Sequence, residues 1–318
     1  MTSVKYPSIK AGTDSLKLNT GATVPILGLG TWRSPDEEVT KAVEIALKAG
    51  IRHLDCAFAY DNEAAVGKGI KQSGIPREEL FVTTKIWGTF HRRVEEGVDI
   101  SLQRLGLNYV DLLLIHWPVA LRQKGDEKIP LREDGSRDID EERTLNETWK
   151  QMEELVAKGK ARAIGVSNVS KPVMEDLLKT AKIVPASNQI ELHPYLPEHE
   201  LVLYLQSKGI TPAAYSPLGS GAAPVLEDET IIRIAKAKGA EPAQVAIAWQ
   251  AQRGVLVIPK SVTEHRIISN SKLITLTEEE MQEINELYKQ SGKHIRTCMP
   301  PWGVDFKFDN YPPPGQKV

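Results

Sequence analysis

Cysteine is the scarcest informative residue in this 318-residue chain: Cys56 and Cys298 are the only two. Two thiols cannot staple a disulfide scaffold, and their placement does not suit a structural zinc site. The chain therefore reads as reduced, intracellular and cytoplasmic. An excess of one charge sign is also missing, since 40 Lys and Arg face 42 Asp and Glu for a net charge of -2. No global basic field is present to hold nucleic acid or an anionic membrane. Long apolar runs are absent too. Met1 to Gly12 has no apolar core of signal-peptide length, and the most apolar stretch, Val110 to Leu121, is interrupted by His116 and Pro118. Neither a membrane span nor a secretory leader is expected. The seven histidines form no HExxH and the cysteines no CxxC, so no metal site is expected.

What is present is ordinary globular composition, 41% hydrophobic and 26% charged, arranged as a repeating pattern. A turn at Asn19 to Ala22 joins two short alternating segments, Leu16 to Leu18 and Val24 to Ile26, which predicts a hairpin ahead of the main fold. Ser34-Pro35-Asp36-Glu37 reads as a capping box that opens a helix with Val39, Ala42, Val43, Ala46 and Leu47 on one face. Strands are expected at 27–30, 52–56, 80–85, 110–116, 162–166, 185–190, 211–215 and 255–258. Helices are expected near 62–73, 92–105, 144–158, 171–180, 198–207 and 228–238. Eight strand-helix units predict an α/β fold of one domain over 1–318, a parallel (β/α)8 barrel, because closure removes both sheet edges. An open doubly wound sheet is the competing architecture. Two segments break the rhythm: a polar stretch, Leu121 to Glu142, and a proline-rich tail from Ser291 to Val318. Both read as substrate-selecting covers outside the folding core.

In such a barrel the chemistry lies at the carboxyl ends of the strands. Trp32 follows the first, Asp55 and then Tyr60 the second, Lys85 and Trp87 the third, and His116 and Trp117 the fourth. Apolar walls with a few convergent polar groups describe a ligand pocket. Asp55 and Lys85 each sit within a strand, where an isolated charge is expensive, so they are expected to pair. Taken singly, such a pair reads equally well as a device that fixes register. A phenol beside the Lys85 ammonium is expected to shift downward from its ordinary value of about 10, into a range useful for proton transfer. His116 reads as a hydrogen-bonding group for a carbonyl oxygen. Late in the chain Lys260, Ser261, Thr263, Arg266 and Asn270 surround a helix start, a combination suited to phosphate. Gly28-Leu29-Gly30 and Gly219-Ser220-Gly221 both lack the third glycine of a Rossmann loop.

These residues carry a resemblance. Gly50 to Ala57 with Tyr60, Asn62-Glu63 and Val66-Gly67, then LGLNYVDLLLIH from Leu105 to His116, then IPKS from Ile258 to Ser261, resemble three motifs of the aldo-keto reductases. The resemblance covers most of the chain, from the hairpin to about Tyr288. It implies reduction of small carbonyl substrates with NADPH, or more weakly NADH. Tyr60 would donate the proton, with Lys85 and Asp55 tuning it and His116 orienting the carbonyl. It further implies nicotinamide contacts at Ser167, Asn168, Gln189 and Tyr215, the last continuing into Ser216 and Leu218. Lys260, Ser261, Thr263, Arg266 and Asn270 would hold the adenosine phosphate. Ile51 stands where an aromatic residue is usual, and Ser269 where many members carry Glu against the adenine.

Substrate contacts are expected from Trp32, Trp87, His91, Trp117, Cys298 and Trp302, serving an aldose, a uronate, a short hydroxyaldehyde or an aromatic aldehyde. Two other readings are open: a Schiff-base lyase working through Lys85, and an idle nucleotide-sensing subunit. Oligomeric state leaves no trace in the sequence.

Overall fold

The computed structural model describes Tyr6 and residues 14–311. A hairpin comes first, β1 (Ser15–Lys17) and β2 (Thr23–Pro25), paired antiparallel with Leu16 opposite Val24. Its turn is closed by the Leu18 amide on the Ala22 carbonyl at 2.9 Å, with Gly21 in the left-handed region at φ 85°. Leu18, Val24 and Ile26 then pack beside Phe81, Leu112, Leu114, Ala163 and Ala213. The hairpin thus plugs one end of the main sheet.

That sheet holds eight parallel strands in chain order: β3 (Gly28–Gly30), β4 (His53–Asp55), β5 (Phe81–Ile86), β6 (Val110–Ile115), β7 (Ala161–Ser167), β8 (Ser187–Glu191), β9 (Thr211–Tyr215) and β10 (Leu256–Ile258). Parallel bridges from Leu27 to Val257 and from Gly30 to Lys260 join the last strand to the first. The open-sheet alternative is therefore wrong, and the architecture is the eight-stranded α/β barrel. Period-2 alternation assigns the layers: Leu112 and Leu114 fill the barrel, while Leu113 and Ile115 face the helices. Gly165 is required inside, because a Cβ there would lie 2.5 Å from the Ser187 carbonyl oxygen and 2.7 Å from Leu114 Cδ2.

Most helices follow the amphipathic pattern: α1 (Asp36–Lys48), α2 (Glu63–Ser73), α3 (Val94–Leu105), α4 (Leu145–Ala157), α5 (Lys171–Leu178), α6 (His199–Ser207) and α7 (Glu229–Lys238). One cap differs from expectation. The residue ahead of α1 is Pro35, which has no capping side chain, and the Ser34 carbonyl is instead held by Asn62 Nδ2 at 2.9 Å. Two longer helices were not expected, α8 (Pro242–Gln252) and α10 (Glu278–Glu286); α9 (Glu264–Asn270), the expected helix carrying Arg266, lies between them. α8 is buried from Val245 through Ala251, so it has no polar face and no period to read. α10 did carry a signal, the Thr277 and Glu280 capping box that opens it.

The tail also departs from expectation. Trp302 and Phe306 are buried within the largest apolar cluster, and Trp117 packs on both with ring centroids 5.4 Å apart. The described part of the tail belongs to the core, and an irregular segment hides this because its apolar residues follow no period. The polar stretch is likewise tied down, through antiparallel bridges Leu121 to Ile139 and Leu131 to Arg137 and through Arg92 and Arg122 on buried Asp140.

Helix contact fixes another residue. A Cβ on Gly67, in α2, would sit 2.3 Å from the Leu105 carbonyl oxygen at the end of α3. Gly67→Ala is expected to destabilise the fold by about 1–3 kcal/mol through overpacking, despite the better helix propensity of Ala. Urea unfolding checks this, and an unchanged midpoint would contradict it.

Candidate active site

Parallel register brings the strand ends together. Gly30 pairs with Asp55, Asp55 with Thr83, and Lys85 with Leu114, so successive inward side chains climb around one mouth of the barrel. Asp55 closes β4, Lys85 lies near the end of β5, and His116 follows β6 with its amide on the Ile86 carbonyl at 3.0 Å. Tyr60 ends a short 3-10 turn, Phe58–Tyr60, after which Asp61 adopts a left-handed φ of 63°.

At the centre is Lys85, fully buried. Its Nζ donates to Asp55 Oδ2 at 2.6 Å and to the Cys56 carbonyl at 2.8 Å, and it lies 3.2 Å from the Tyr60 hydroxyl. Burial opposes the ammonium, but Asp55 and Tyr60 together outweigh it, so Lys85 is held above its ordinary value and stays charged. Asp55 uses its other oxygen to accept from Gln189 Nε2 at 2.7 Å. Tyr60 corrects the sequence expectation. Burial pushes the phenol up to about 12, and the Lys85 charge offsets only part of that rise. Tyr60 therefore holds its proton at neutral pH.

His116 stands against Tyr60, with centroids 5.6 Å apart in an edge-on arrangement, and against Trp87 at 5.3 Å. Burial and the nearby Lys85 cation hold its pKa well below the usual imidazole value, so the ring is neutral. Its Nδ1 is buried without a partner. A buried lone pair there is tolerated better than a buried N–H, which favours the proton on Nε2.

The expected cofactor residues continue the same rim. Asn168, at a left-handed φ of 60°, donates to the His116 carbonyl at 2.9 Å and accepts from the Tyr215 hydroxyl at 2.8 Å. Ser167 Oγ donates to the Gln189 carbonyl at 2.7 Å. Ser216 takes φ 50° and Leu218 is half-buried. Around α9, Lys260 and Arg266 are exposed and have no acidic partner among the described residues. Ser261 Oγ accepts from the Thr263 amide at 3.1 Å, and Asn270 is buried. Two unpaired cations with a hydroxyl fit a phosphate, and the hydrogen-bonded Tyr215 and Asn168 fit a flat amide-bearing ring. Ser269 faces a cleft shared with Glu241, Gln244, His265 and Lys272.

The expected substrate residues divide. Trp87, Trp117 and Trp302 form one stack, with Trp302 5.7 Å from Trp87 and only 2% exposed. Cys298 is half-buried and lies beside Tyr215. Trp32 stands at the rim, 57% exposed, next to Thr31, whose hydroxyl donates to the Asp55 carbonyl at 2.9 Å. His91 is placed apart, buried under Arg143 and Asp140, with its pKa driven down to about 3 by burial and by Arg143. Two residues escaped the sequence reading. Arg137, from the polar stretch, lies 4.0 Å over the Trp302 ring, with Nη1 buried and unpartnered. Glu191 is wholly buried at the end of β8. Its signal was a carboxylate two positions after Gln189, on the same face of a strand.

The Aldo/keto reductase family model matches residues 26–289. An aldehyde reductase of Saccharomyces cerevisiae is 48% identical over 96% of this chain and 98% of its own length. A glycerol 2-dehydrogenase (NADP(+)) of the same yeast is 47% identical over 91% and 95%. A D-galacturonate reductase of Hypocrea jecorina is 45% identical over 92% and 97%. Among solved structures, the aldose reductase of Giardia lamblia aligns with a TM-score of 0.83 and 38% identity, covering 89% of this chain and 98% of that one.

Proposed function

Since the chain belongs to the aldo/keto reductase family, we propose that it reduces the carbonyl of an aldehyde, an aldose or a uronate to the alcohol with NADPH, reversibly with polyols. The observation that carries the reading is the placement of the Tyr60 hydroxyl, 3.2 Å from an ammonium that is itself locked onto Asp55. Bound NADPH would supply the hydride to the carbonyl carbon. Ser167, Asn168, Gln189 and Tyr215 would hold its nicotinamide end, while Lys260, Ser261, Thr263, Arg266 and Asn270 would hold its phosphate end.

The chain's own residues do the rest. His116 Nε2–H donates to the carbonyl oxygen and orients it. Negative charge growing on that oxygen takes the Tyr60 proton, and Lys85 stabilises the phenolate left behind. Asp55 keeps Lys85 charged, and the tryptophan stack excludes water. A Schiff base would need a neutral amine, which this ammonium is not.

Arg137 favours an anionic substrate. Arg122 and Arg132, in the same polar stretch, lie against Asp138, Asp140 or Glu141, whereas Arg137 meets no acid among the described residues and stacks on Trp302. A guanidinium above an indole stack that leads to His116 suits a carboxylate several bonds from the carbonyl, as in a uronate. The H. jecorina relative is named for such a compound. The test is a panel of aldehydes, aldoses and uronates with NADPH, run beside Arg137→Met. The variant is expected to raise KM for uronates about tenfold or more while leaving uncharged aldehydes within about threefold. Equal changes would remove Arg137 from substrate selection, and no turnover on the whole panel would overturn the reductase reading.

A further inference from the structure

β8 places Gln189 and Glu191 on the same face. Gln189 serves Asp55, but nothing in the proposed chemistry uses Glu191. Its carboxylate is wholly buried and both oxygens are engaged. Oε1 accepts from His193 Nε2 at 3.0 Å, from the Thr297 amide at 2.7 Å and from the Thr297 hydroxyl at 2.7 Å, while Oε2 accepts from the Cys298 amide at 2.8 Å. No lysine or arginine lies within ion-pairing distance among the described residues. Burial alone would raise this carboxyl, yet the donors from His193, Thr297 and Cys298 outweigh it and keep the charged form. Three of the four donors belong to the tail, more than a hundred residues away in sequence. A carboxylate this buried is expensive without them, so the barrel rim presents a receptor that only the docked tail completes.

The docking has a direct geometric result. With its amide held by Glu191, Cys298 lies beside Tyr215, and the chain then turns to set Trp302 on Trp87 and Trp117. A second clamp follows the same course. Arg296 is buried, reaches Glu198 and Asn310, and stacks 4.5 Å from Phe308.

We propose that Glu191 is a positioning residue for substrate selection: it fixes Thr297 and Cys298 in register so that the tail supplies the outer wall of the substrate pocket. The proposal rests on the reductase reading of that pocket. It predicts a division between groups that the tail positions and groups that it does not. Tyr60, Lys85 and His116 are held by strands and turns of the barrel, so the chemistry should survive loss of the receptor, whereas recognition of large substrates should not.

The experiment uses the full chain with Glu191→Gln. The amide keeps the volume but replaces one acceptor by an NH2, so in either orientation a donor faces a donor. The expected result is a KM for a uronate or an aromatic aldehyde raised about tenfold, with kcat for propanal and NADPH affinity by fluorescence within about threefold of the parent. Hydrogen exchange should quicken across 296–311 while α1 and α2 keep their protection. Thr297→Val, which removes only the hydroxyl donor, should shift both readouts the same way by a smaller amount, and it decides the matter if the Gln variant does not fold. Unchanged substrate ranking and tail exchange in the variants would overturn the proposal. So would a uniform loss across all substrates accompanied by faster exchange throughout the barrel, which would mark Glu191 as merely structural. A parent protein that reduces no aldehyde would defeat the reductase reading, and tail exchange would then decide docking alone.

Discussion

Tyr60→Phe is expected to lower kcat for carbonyl reduction by about a thousandfold while leaving NADPH affinity nearly unchanged. The substitution removes a single oxygen. Lys85 keeps its contacts to Asp55 at 2.6 Å and to the Cys56 carbonyl at 2.8 Å, so the buried charge pair survives and the fold should stand. What disappears is the one hydroxyl lying against that ammonium among the described residues. Steady-state turnover beside a fluorescence titration separates the two effects, and turnover within tenfold of the parent, about 1.4 kcal/mol in barrier, would refute the assignment. A pH profile supplies an independent check. With burial pushing Tyr60 up to about 12, the proton is present throughout the neutral and mildly alkaline range. Reduction should therefore show no loss from Tyr60 ionisation between about pH 6 and 9. On the proposed mechanism alcohol oxidation would draw on the phenolate, so its rate should rise with pH over the same range.

How much of this was legible beforehand follows from which properties are local. Parallel strands end at one mouth, so Asp55, Lys85 and His116 could be gathered from their positions at strand ends, and Tyr60 from its place just beyond one. Helices with one wet face announce themselves by period, whereas α8, dry on nearly all sides, carries none. Trp302 and Phe306 sit in a segment without regular structure, so their burial depends on which surface the tail meets. The direction of the Tyr60 shift was misread for a related reason. A neighbouring lysine can be inferred from sequence, but the depth at which the phenol is buried, with His116 edge-on against it, cannot, and that burial dominates. Glu191 and Arg137 were hidden differently, since each acquires its partner only when distant segments meet.

Replacing Lys260 and Arg266 together with Met is expected to weaken NADPH roughly fiftyfold and NADH by less than about threefold. The two cofactors differ by one phosphate, and a dianion gains from cations that an unmodified ribose does not use. Lys260 leaves β10 beside Gly30, and Arg266 lies on the first turn of α9, so the two cations flank in sequence the short segment that carries Ser261. Neither is engaged by an acid among the described residues, so neither has to abandon a partner in order to bind. Their exposure limits the gain, since water and salt screen charges at this position. That limit gives a second readout. In the parent, KM for NADPH should climb steeply with added salt while KM for NADH changes little, and the double variant should lose the difference. Equal weakening of both cofactors, or an unaltered salt response, would mean that these side chains are only solvated charges and that the phosphate is held elsewhere.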